Sequence, residues 1–151
     1  MSIRSDFPDL PPIWAVGTLA IQWLAATWLP ILRFDAAWTD WLGGVVIAGG
    51  LALMVWSAVW FRRKRTAIEP RETPAALIVE GPFRINRNPI YTGMTAVLVG
   101  AGLLFGALSS LALALLFPVI VTRRFVLGEE AALQAAFGTK AQAYFAQTRR
   151  W

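Results

Sequence analysis

Residues 88–122, which decide the fold, read NPIYTGMTAVLVGAGLLFGALSSLALALLFPVIVT. These 35 residues contain no charge, and as one α-helix they would be roughly 52 Å long at about 1.5 Å per residue. That length is too great for one crossing of a hydrocarbon layer about 30 Å thick. Gly106 and the pair Ser109-Ser110 offer a natural break. We therefore predict a tight hairpin of two shorter helices, with a kink at Pro118 in the second.

Two further segments lack charges over the length of one membrane crossing. Residues 13–32 and residues 42–61 each comprise 20 uncharged positions, and about 20 apolar residues span a bilayer as a helix. With the hairpin helices at residues 89–106 and 110–124, they predict four transmembrane helices. The predicted fold class is an all-α integral membrane protein that forms a single domain over residues 1–151.

The distribution of basic residues favours four spans over three. Four spans place 13 of the 14 Lys and Arg residues on one side and only Arg33 on the other, whereas three spans give a split of 8 to 6. Basic residues favour the cytoplasmic side, so we expect both termini in the cytoplasm, with a bacterial inner membrane as the location. The 13 residues are Arg4, Arg62, Arg63, Lys64, Arg65, Arg71, Arg84, Arg87, Arg123, Arg124, Lys140, Arg149 and Arg150.

The composition excludes several classes of protein. Hydrophobic residues make up 57% of the 151 residues and charged residues 15%, whereas soluble domains have about 45–50% and about 25%. The chain has no Cys and no His, which excludes disulfides, cysteine nucleophiles and histidine bases, and no metal site is expected. The net charge of +5 is explained by the basic residues that mark the cytoplasmic side of the membrane. We expect the basic cluster at residues 62–65 to contact membrane lipids, and we expect no nucleic-acid partner.

Two predicted cytoplasmic segments remain for chemistry. The linker at residues 62–88 contains several Pro and Gly residues and is predicted to be mostly loop. The tail at residues 125–149 predicts an amphipathic helix, because its apolar stripe recurs at intervals of seven and four residues. Glu129 and Glu130 fall within roughly 60° of this stripe, an unusual place for two carboxylates. The stripe consists of Val126, Leu133, Phe137, Tyr144 and Thr148.

Several short motifs have an ordinary structural explanation. Asn88 is a good N-cap and Pro89 is favoured at the first helical position, but capping explains neither Arg87 nor Tyr91 in the same motif. The Gly-Pro pair at residues 81–82 is typical of a turn. Two adjacent acidic residues suit the first turn of a helix. The Gly-Ala-Gly run in the third helix suits close helix packing.

In combination and in order, these motifs resemble the integral membrane methyltransferases of the isoprenylcysteine carboxyl methyltransferase and phospholipid methyltransferase type. The shared order is Gly-Pro-Phe-Arg, Arg-Asn-Pro-Ile-Tyr-x-Gly, an apolar hairpin, Glu-Glu-x-x-Leu-x-x-x-Phe-Gly, a tyrosine and a terminal Arg-Trp. The resemblance covers residues 81–151. That family usually has His at the position of Asn88 and Tyr at the position of Ala141, and these departures bear more on the substrate than on the reaction.

The resemblance implies S-adenosylmethionine as the methyl donor, S-adenosylhomocysteine as the product, and a site at the cytoplasmic membrane face. It also implies a lipophilic acceptor that arrives from the bilayer, such as an isoprenylcysteine-type carboxylate. The expected catalytic residues are Arg87, Tyr91 and Glu130. The expected cofactor-binding residues are Gly81, Pro82, Phe83, Arg87, Asn88, Pro89, Tyr91, Gly100, Glu129 and Glu130.

The charges of S-adenosylmethionine suit these residues. Arg87 complements its carboxylate, and the acidic pair complements its sulfonium and ammonium, provided that the tail folds back beneath the third helix. Phe83 and Tyr91 are candidate aromatic walls. Because the chain lacks Cys and His, the nucleophile must belong to the substrate. A carboxylate or thiolate acceptor needs no base, and the sequence favours it for this reason.

Three other functions stay open at this level. A phospholipid amine acceptor requires a base, for which Glu129, Glu130 and Tyr91 are the candidates. A small exporter needs an ionisable residue within its spans, and the uncharged stretches contain none, although Gln22 is polar and lies near mid-span. If the protein were an assembly subunit, the acidic pair at residues 129–130 would have no role. The sequence does not indicate an oligomeric state.

Overall fold

The computed structural model describes residues 9–66 and 74–151, and within these residues the chain is helical. Only two isolated bridges pair extended residues in this part of the chain. Arg4 and Arg71, which enter the topology prediction, and part of the linker predicted at residues 62–88 lie outside the described residues. The elements are α1 Pro11–Trp28, α2 Ala37–Lys64, a 3₁₀ turn Gly81–Arg84, α3 Pro89–Leu104, α4 Leu108–Val121, a π-helical turn Thr122–Val126, α5 Leu127–Phe137 and α6 Thr139–Gln147.

The helices α1 to α4 run back and forth between two ends of a bundle. At one end, the loop after α1 pairs with the turn between α3 and α4. There the Phe34 N–H donates to the Gly106 carbonyl over 2.9 Å, and the Leu108 N–H donates to the Ile31 carbonyl over 2.9 Å. At the other end, the start of α1, the end of α2 and the start of α3 surround a cavity. We call these the loop end and the cavity end.

The long apolar stretch breaks at Gly106, as the sequence predicts, but Ser109 and Ser110 are not part of the break because they lie inside α4. Gly106 has a φ of +64°, a left-handed conformation that glycine adopts without steric cost. α3 ends two residues before this glycine and α4 begins two residues after it. Pro118 lies inside α4. The irregularity that follows it is the π-helical turn, after which the helix continues to Phe137.

Four glycines bring α2 and α3 together backbone to backbone. Gly43 faces Gly100, and Gly50 faces Gly93, so the two helices are antiparallel. A Cβ atom on Gly50 or on Gly100 would lie 2.6 Å from the carbonyl oxygen of the facing glycine, so no side chain fits. We call these four residues the glycine seam. Close approach through small residues is typical of helix pairs in membranes.

α2 buries small and polar residues and exposes large apolar ones. Its buried residues are Thr39, Gly43, Gly50 and Ser57. In contrast, Val55 is 64% exposed and Trp41 is 72% exposed. A surface helix in water has the opposite distribution, so the outer face of α2 suits lipid. In the described residues, α2 and the continuous helix Leu108–Phe137 are long and apolar enough to cross a membrane, and α3 is a shorter apolar helix.

A buried glutamine ties α1 to the hairpin of α3 and α4. Gln22 is fully buried. Its Nε2 donates to the Leu98 carbonyl over 3.0 Å and to the Ser110 carbonyl over 2.9 Å. These bonds satisfy the Nε2 group, which has lost its bonds with water in an apolar interior. The polar side chain of Gln22 therefore serves helix association.

The prediction of one helix over residues 125–149 is wrong. α5 continues directly from α4, and α6 is a separate helix. Between them Gly138 adopts a φ of +52°, a conformation that stops a right-handed helix and redirects the chain. The break allows α6 to fold against the 3₁₀ turn, where Tyr144 is buried with Phe83.

Candidate functional site

A cavity of about 310 Å³ lies at the cavity end of the bundle. Small-molecule sites typically have volumes of about 300–1,000 Å³. Much of the wall is apolar, and it comes from the start of α1, the end of α2 and residues 74–78. Polar side chains of the predicted site also line the cavity, and they are Arg87, Asn88, Tyr91, Glu129 and Glu130.

Glu130 is the centre of a charged cluster on the polar side. Its Oε1 accepts from Arg150 Nε over 2.9 Å, and its Oε2 accepts from a terminal nitrogen of Arg150 over 2.7 Å. A terminal nitrogen of Arg87 lies 3.4 Å from Glu130 Oε1. The side chains of Arg87 and Glu130 are each only 15% exposed, which limits screening by water. Two guanidinium groups therefore share one carboxylate.

The main chain explains why the tail reaches Glu130. Two extended segments, one before α3 and one after α6, run side by side. The Arg87 N–H donates to the Arg149 carbonyl over 2.8 Å. Asn88 Nδ2 donates to the Arg150 carbonyl over 3.0 Å. The end of the tail, at Arg149 and Arg150, thus lies beneath the start of α3. An acidic pair in the tail can face Arg87 only in such an arrangement.

Two ordinary explanations of the motif residues do not hold. Asn88 precedes α3, but its side chain makes no capping bond, because its amide is directed to the tail. Glu129 and Glu130 are not at a free helix start, since they lie within the continuous helix Leu108–Phe137. The N–H groups of a helix interior are already hydrogen-bonded, so the helix-dipole explanation for the acidic pair is lost.

Glu129 makes a different contact from Glu130. The Tyr91 hydroxyl donates to Glu129 Oε1 over 2.5 Å. In the described part of the chain no basic side chain forms an ion pair with Glu129, whereas Glu130 has two. A carboxylate whose partner is a neutral phenol can still bind a cation. Of the two acidic residues, Glu129 therefore has the less compensated charge.

Aromatic side chains form another part of the wall. The Tyr144 hydroxyl donates to the Phe83 carbonyl over 2.7 Å, and the Phe83 ring contacts Phe61 edge to face with centroids 5.4 Å apart. The Arg87 guanidinium lies 4.7 Å from the centroid of the Phe145 ring. Burial raises the pKa of the Tyr144 hydroxyl, which therefore stays protonated at neutral pH and remains a donor.

The structure brings most of the predicted site residues together. Those that line the cavity are Phe83, Arg87, Asn88, Pro89, Tyr91, Glu129 and Glu130. Gly81 and Pro82 form the adjoining 3₁₀ turn instead. Gly81 has a φ of +60° and lies so close to the Trp60 ring that a Cβ would clash, and Pro82 is buried. Their part is to shape the turn that carries Phe83.

Gly100 does not approach the cavity. It belongs to the glycine seam, where Gly43 and Ile47 leave no space for another group. The expectation that Gly100 admits a cofactor is therefore wrong, because α2 occupies that face of α3. Helix packing, the alternative explanation, accounts for this residue.

Some residues of the site carry little or no sequence signal. Arg150 reaches Glu130 across 20 positions only because Gly138 redirects the chain. Residues 10–12 line the cavity, although they lie far from the motifs in sequence. The Arg-Trp pair at the end of the resemblance is the one hint of a role for Arg150.

The fold and the cavity define a helical protein with a lipid-suited surface and one site that is part charged and part apolar. Residues 38–140 match the sequence profile of the phospholipid methyltransferase family. The chain belongs to this family, which confirms the resemblance and makes the protein a membrane methyltransferase. The match includes Arg87 and Glu130 and ends before Arg150. No curated protein and no solved structure is detectably similar to the chain.

Proposed function

We propose that the protein transfers the methyl group of S-adenosylmethionine to a lipophilic acceptor at the cytoplasmic face of a membrane. One observation carries the proposal: Arg87, Tyr91, Glu129 and Glu130 converge on a single cavity whose remaining wall is largely apolar. The charged side suits a donor that bears both signs of charge, and the apolar side suits an acceptor that is soluble in lipid. S-adenosylhomocysteine is the product that leaves.

We propose α1 to α4 as four membrane spans. All four run between the loop end and the cavity end, and α2 exposes its large apolar residues. Arg87, Glu130 and Arg150 mark the cavity end, whereas Arg33 pairs with Ala107 at the loop end. Most basic residues of the sequence flank the helix ends that meet at the cavity. The positive-inside rule then assigns the cavity end to the cytoplasm.

The residues present suit the methyl donor. Arg87 would bind its carboxylate, and the buried Nε of this guanidinium has no hydrogen-bond partner within the described residues. Glu129 would bind a cationic group of the donor. Phe83 and Tyr91 offer aromatic surface, and a cation over such a ring is stabilised by about 0.5–2 kcal/mol. When bound, the donor supplies an electrophilic methyl group.

The contribution of the chain to catalysis is to position the reactants and to exclude water. In the transfer, the bond from methyl carbon to sulfur breaks as the bond from methyl carbon to the acceptor forms, so the sulfonium becomes a neutral thioether. Alignment and desolvation govern such an in-line displacement. Because the chain lacks Cys and His, the acceptor supplies the nucleophile. An isoprenylcysteine-type carboxylate, which has no proton to lose, is the first candidate.

A phospholipid amine is the second candidate, and the description of the family favours it. An ammonium must lose a proton before it can attack. Glu129, which accepts a hydrogen bond from Tyr91, is the carboxylate best suited to take that proton. With a carboxylate acceptor, Glu129 serves binding alone. With an amine acceptor, it serves the chemistry as well.

Calorimetric titration in detergent tests the donor. The purified protein is expected to bind S-adenosylmethionine and S-adenosylhomocysteine. Glu130→Ala should lower both affinities while expression and folding persist. Glu80→Gln, which alters an acidic residue outside the cavity, is the control and should bind as the parent does. If neither compound binds at high concentration, the proposal fails and a non-enzymatic exporter or assembly subunit is favoured.

Labelled methyl donor identifies the acceptor. Lipids from cells with and without the protein are compared after incubation of their membranes with methyl-labelled S-adenosylmethionine. A base-labile labelled ester supports the carboxylate acceptor. N-methylated phospholipid made by the pure protein would contradict that choice and support the amine.

A further inference from the structure

Arg150 and Arg87 both pair with Glu130, but Arg150 makes the closer contact. Arg150 reaches both carboxylate oxygens, at 2.9 and 2.7 Å. Arg87 lies 3.4 Å from one of them. A guanidinium paired through two hydrogen bonds is held in a fixed geometry. Arg87, which lines the cavity, is therefore the less tightly held of the two cations.

The main chain holds Arg150 next to Arg87. The carbonyl of Arg150 accepts from Asn88 Nδ2 over 3.0 Å, and the carbonyl of Arg149 accepts from the Arg87 N–H over 2.8 Å. The Asn88 N–H donates in turn to Asn86 Oδ1 over 3.0 Å. The segment that carries Arg87 therefore also fixes the tail residue that competes with it.

We propose that Arg150 is a positioning residue for Arg87. By binding both oxygens of Glu130, Arg150 leaves the Arg87 guanidinium available for a carboxylate ligand, and Asn88 keeps Arg150 in place. Without Arg150, the carboxylate of Glu130 pairs with Arg87 alone and draws it away from the cavity. The inference rests on the proposed function, because the carboxylate concerned is that of the methyl donor.

The test compares Arg150→Gln with Arg149→Gln. Both variants lose one positive charge in the tail, but the Arg149 side chain is exposed and its contact with Arg87 is through the main chain. Two probes are titrated in detergent. S-adenosylhomocysteine contains the amino-acid carboxylate, whereas 5′-methylthioadenosine has the nucleoside and the thioether without the amino-acid part.

Arg150→Gln should weaken S-adenosylhomocysteine binding about tenfold or more, the effect of one charged hydrogen bond, and should change methylthioadenosine binding less than about twofold. Arg149→Gln should bind both probes as the parent does. Equal losses for both probes in Arg150→Gln would indicate a general structural role and overturn the proposal. Unchanged binding would overturn it too. A parent protein that binds neither probe would contradict the proposed function itself.

A measurement without ligand tests the part assigned to Asn88. Because the sequence has no cysteine, Arg149→Cys introduces a single attachment point for a nitroxide label. The label should show restricted motion by electron paramagnetic resonance, and addition of Asn88→Ala should release it. A label at Gln142→Cys, on the exposed surface of α6, is the control and should not respond to Asn88→Ala. Unchanged motion of the tail label would show that Asn88 does not hold Arg150.

Discussion

The glycine seam and the charged cluster both hold two segments of the chain together, but they do so with opposite chemistry. In the seam, Gly50 and Gly93 meet through bare backbone, and a Cβ on either would lie 2.6 Å or less from an atom of the facing helix. In the cluster, long side chains from Arg87 and Arg150 converge on Glu130. The seam depends on the lack of side chains at its four glycines. The cluster depends on several hydrogen bonds that support one another.

This difference indicates which region fixes the position of the site and which region sets its chemistry. Gly93 follows Tyr91 by two residues on α3, so packing in the seam determines where Tyr91 enters the cavity. The cluster consists of side chains that rotate, and it can adjust to a ligand. We therefore expect changes in the seam to unfold the protein and changes at the site to affect binding first.

The largest effect is expected for Gly50→Val. The new side chain would collide with the carbonyl of Gly93, and overpacking costs about 1–3 kcal/mol, with the upper end expected when the obstacle is backbone. Gly49→Val is the matched control, because a Cβ at Gly49 meets nothing within 4 Å. Thermal unfolding followed by tryptophan fluorescence compares the two. Equal midpoints would contradict the role of the seam.

Glu129→Gln is expected to act on binding rather than on folding. The glutamine oxygen can still accept the hydrogen bond from Tyr91, but the charge that would bind a cation is lost. Affinity for S-adenosylmethionine should fall roughly tenfold to a hundredfold, since hydrogen bonds to charged groups contribute about 1.5–3 kcal/mol. Tyr91→Phe keeps the carboxylate and should cost less. Calorimetry checks both variants, and an unchanged affinity in Glu129→Gln would remove Glu129 from the site.

Tyr144→Phe should have a moderate effect on stability. It removes the buried hydrogen bond to the Phe83 carbonyl, which contributes about 1 kcal/mol, so the unfolding midpoint should fall by about 2–4 °C. The part of the cavity wall that Phe83 forms would also lose this hydrogen bond. A midpoint equal to that of the parent would indicate that α6 is held in place by the main-chain contacts of Arg149 and Arg150 instead.

The smallest effect is expected for Glu80→Gln, outside both regions. Lys64 Nζ lies 2.5 Å from Glu80 Oε1, and this hydrogen bond lowers the pKa of the Glu80 carboxyl from its ordinary 4.5. A lowered pKa stabilises the folded state above the ordinary pKa, and this contribution is lost as the pH falls through the lowered value. Glu80→Gln should lower the unfolding midpoint by about 1 °C at neutral pH. The difference should vanish in acid, and a difference that grows in acid would contradict this sign.

Much of the helical architecture follows from the sequence because its signals are local. Runs without charge predict α1 to α4, and Gly106 marks the turn of the hairpin. The glycine seam could not be predicted with the same certainty, since the spacing of Gly43 and Gly50 does not reveal which helix they face. The tail differs from its prediction because the stripe periodicity is compatible with a helical Gly138, whereas the positive φ of this residue ends the helix.

The candidate site, too, could be predicted only in part from the sequence. The motifs predict that Arg87, Tyr91 and the acidic pair share one cavity, as the structure places them. They do not predict that Asn88 binds the tail, or that Arg150 shares Glu130, because both contacts depend on how far the chain turns after α5. Residues that meet because the chain changes direction have no regular spacing in the sequence that would predict their contact.

Cross-linking tests the central claim most directly. Ultraviolet irradiation of the purified protein with methyl-labelled S-adenosylmethionine, followed by tryptic peptide mapping, locates the bound donor. Cleavage after Arg87, Arg123, Arg124 and Lys140 isolates residues 88–123, which contain Tyr91, and residues 125–140, which contain the acidic pair. We expect label in these two peptides and its loss in the presence of excess S-adenosylhomocysteine. Label confined to α1 and α2, or label that excess S-adenosylhomocysteine does not displace, would contradict the proposed site.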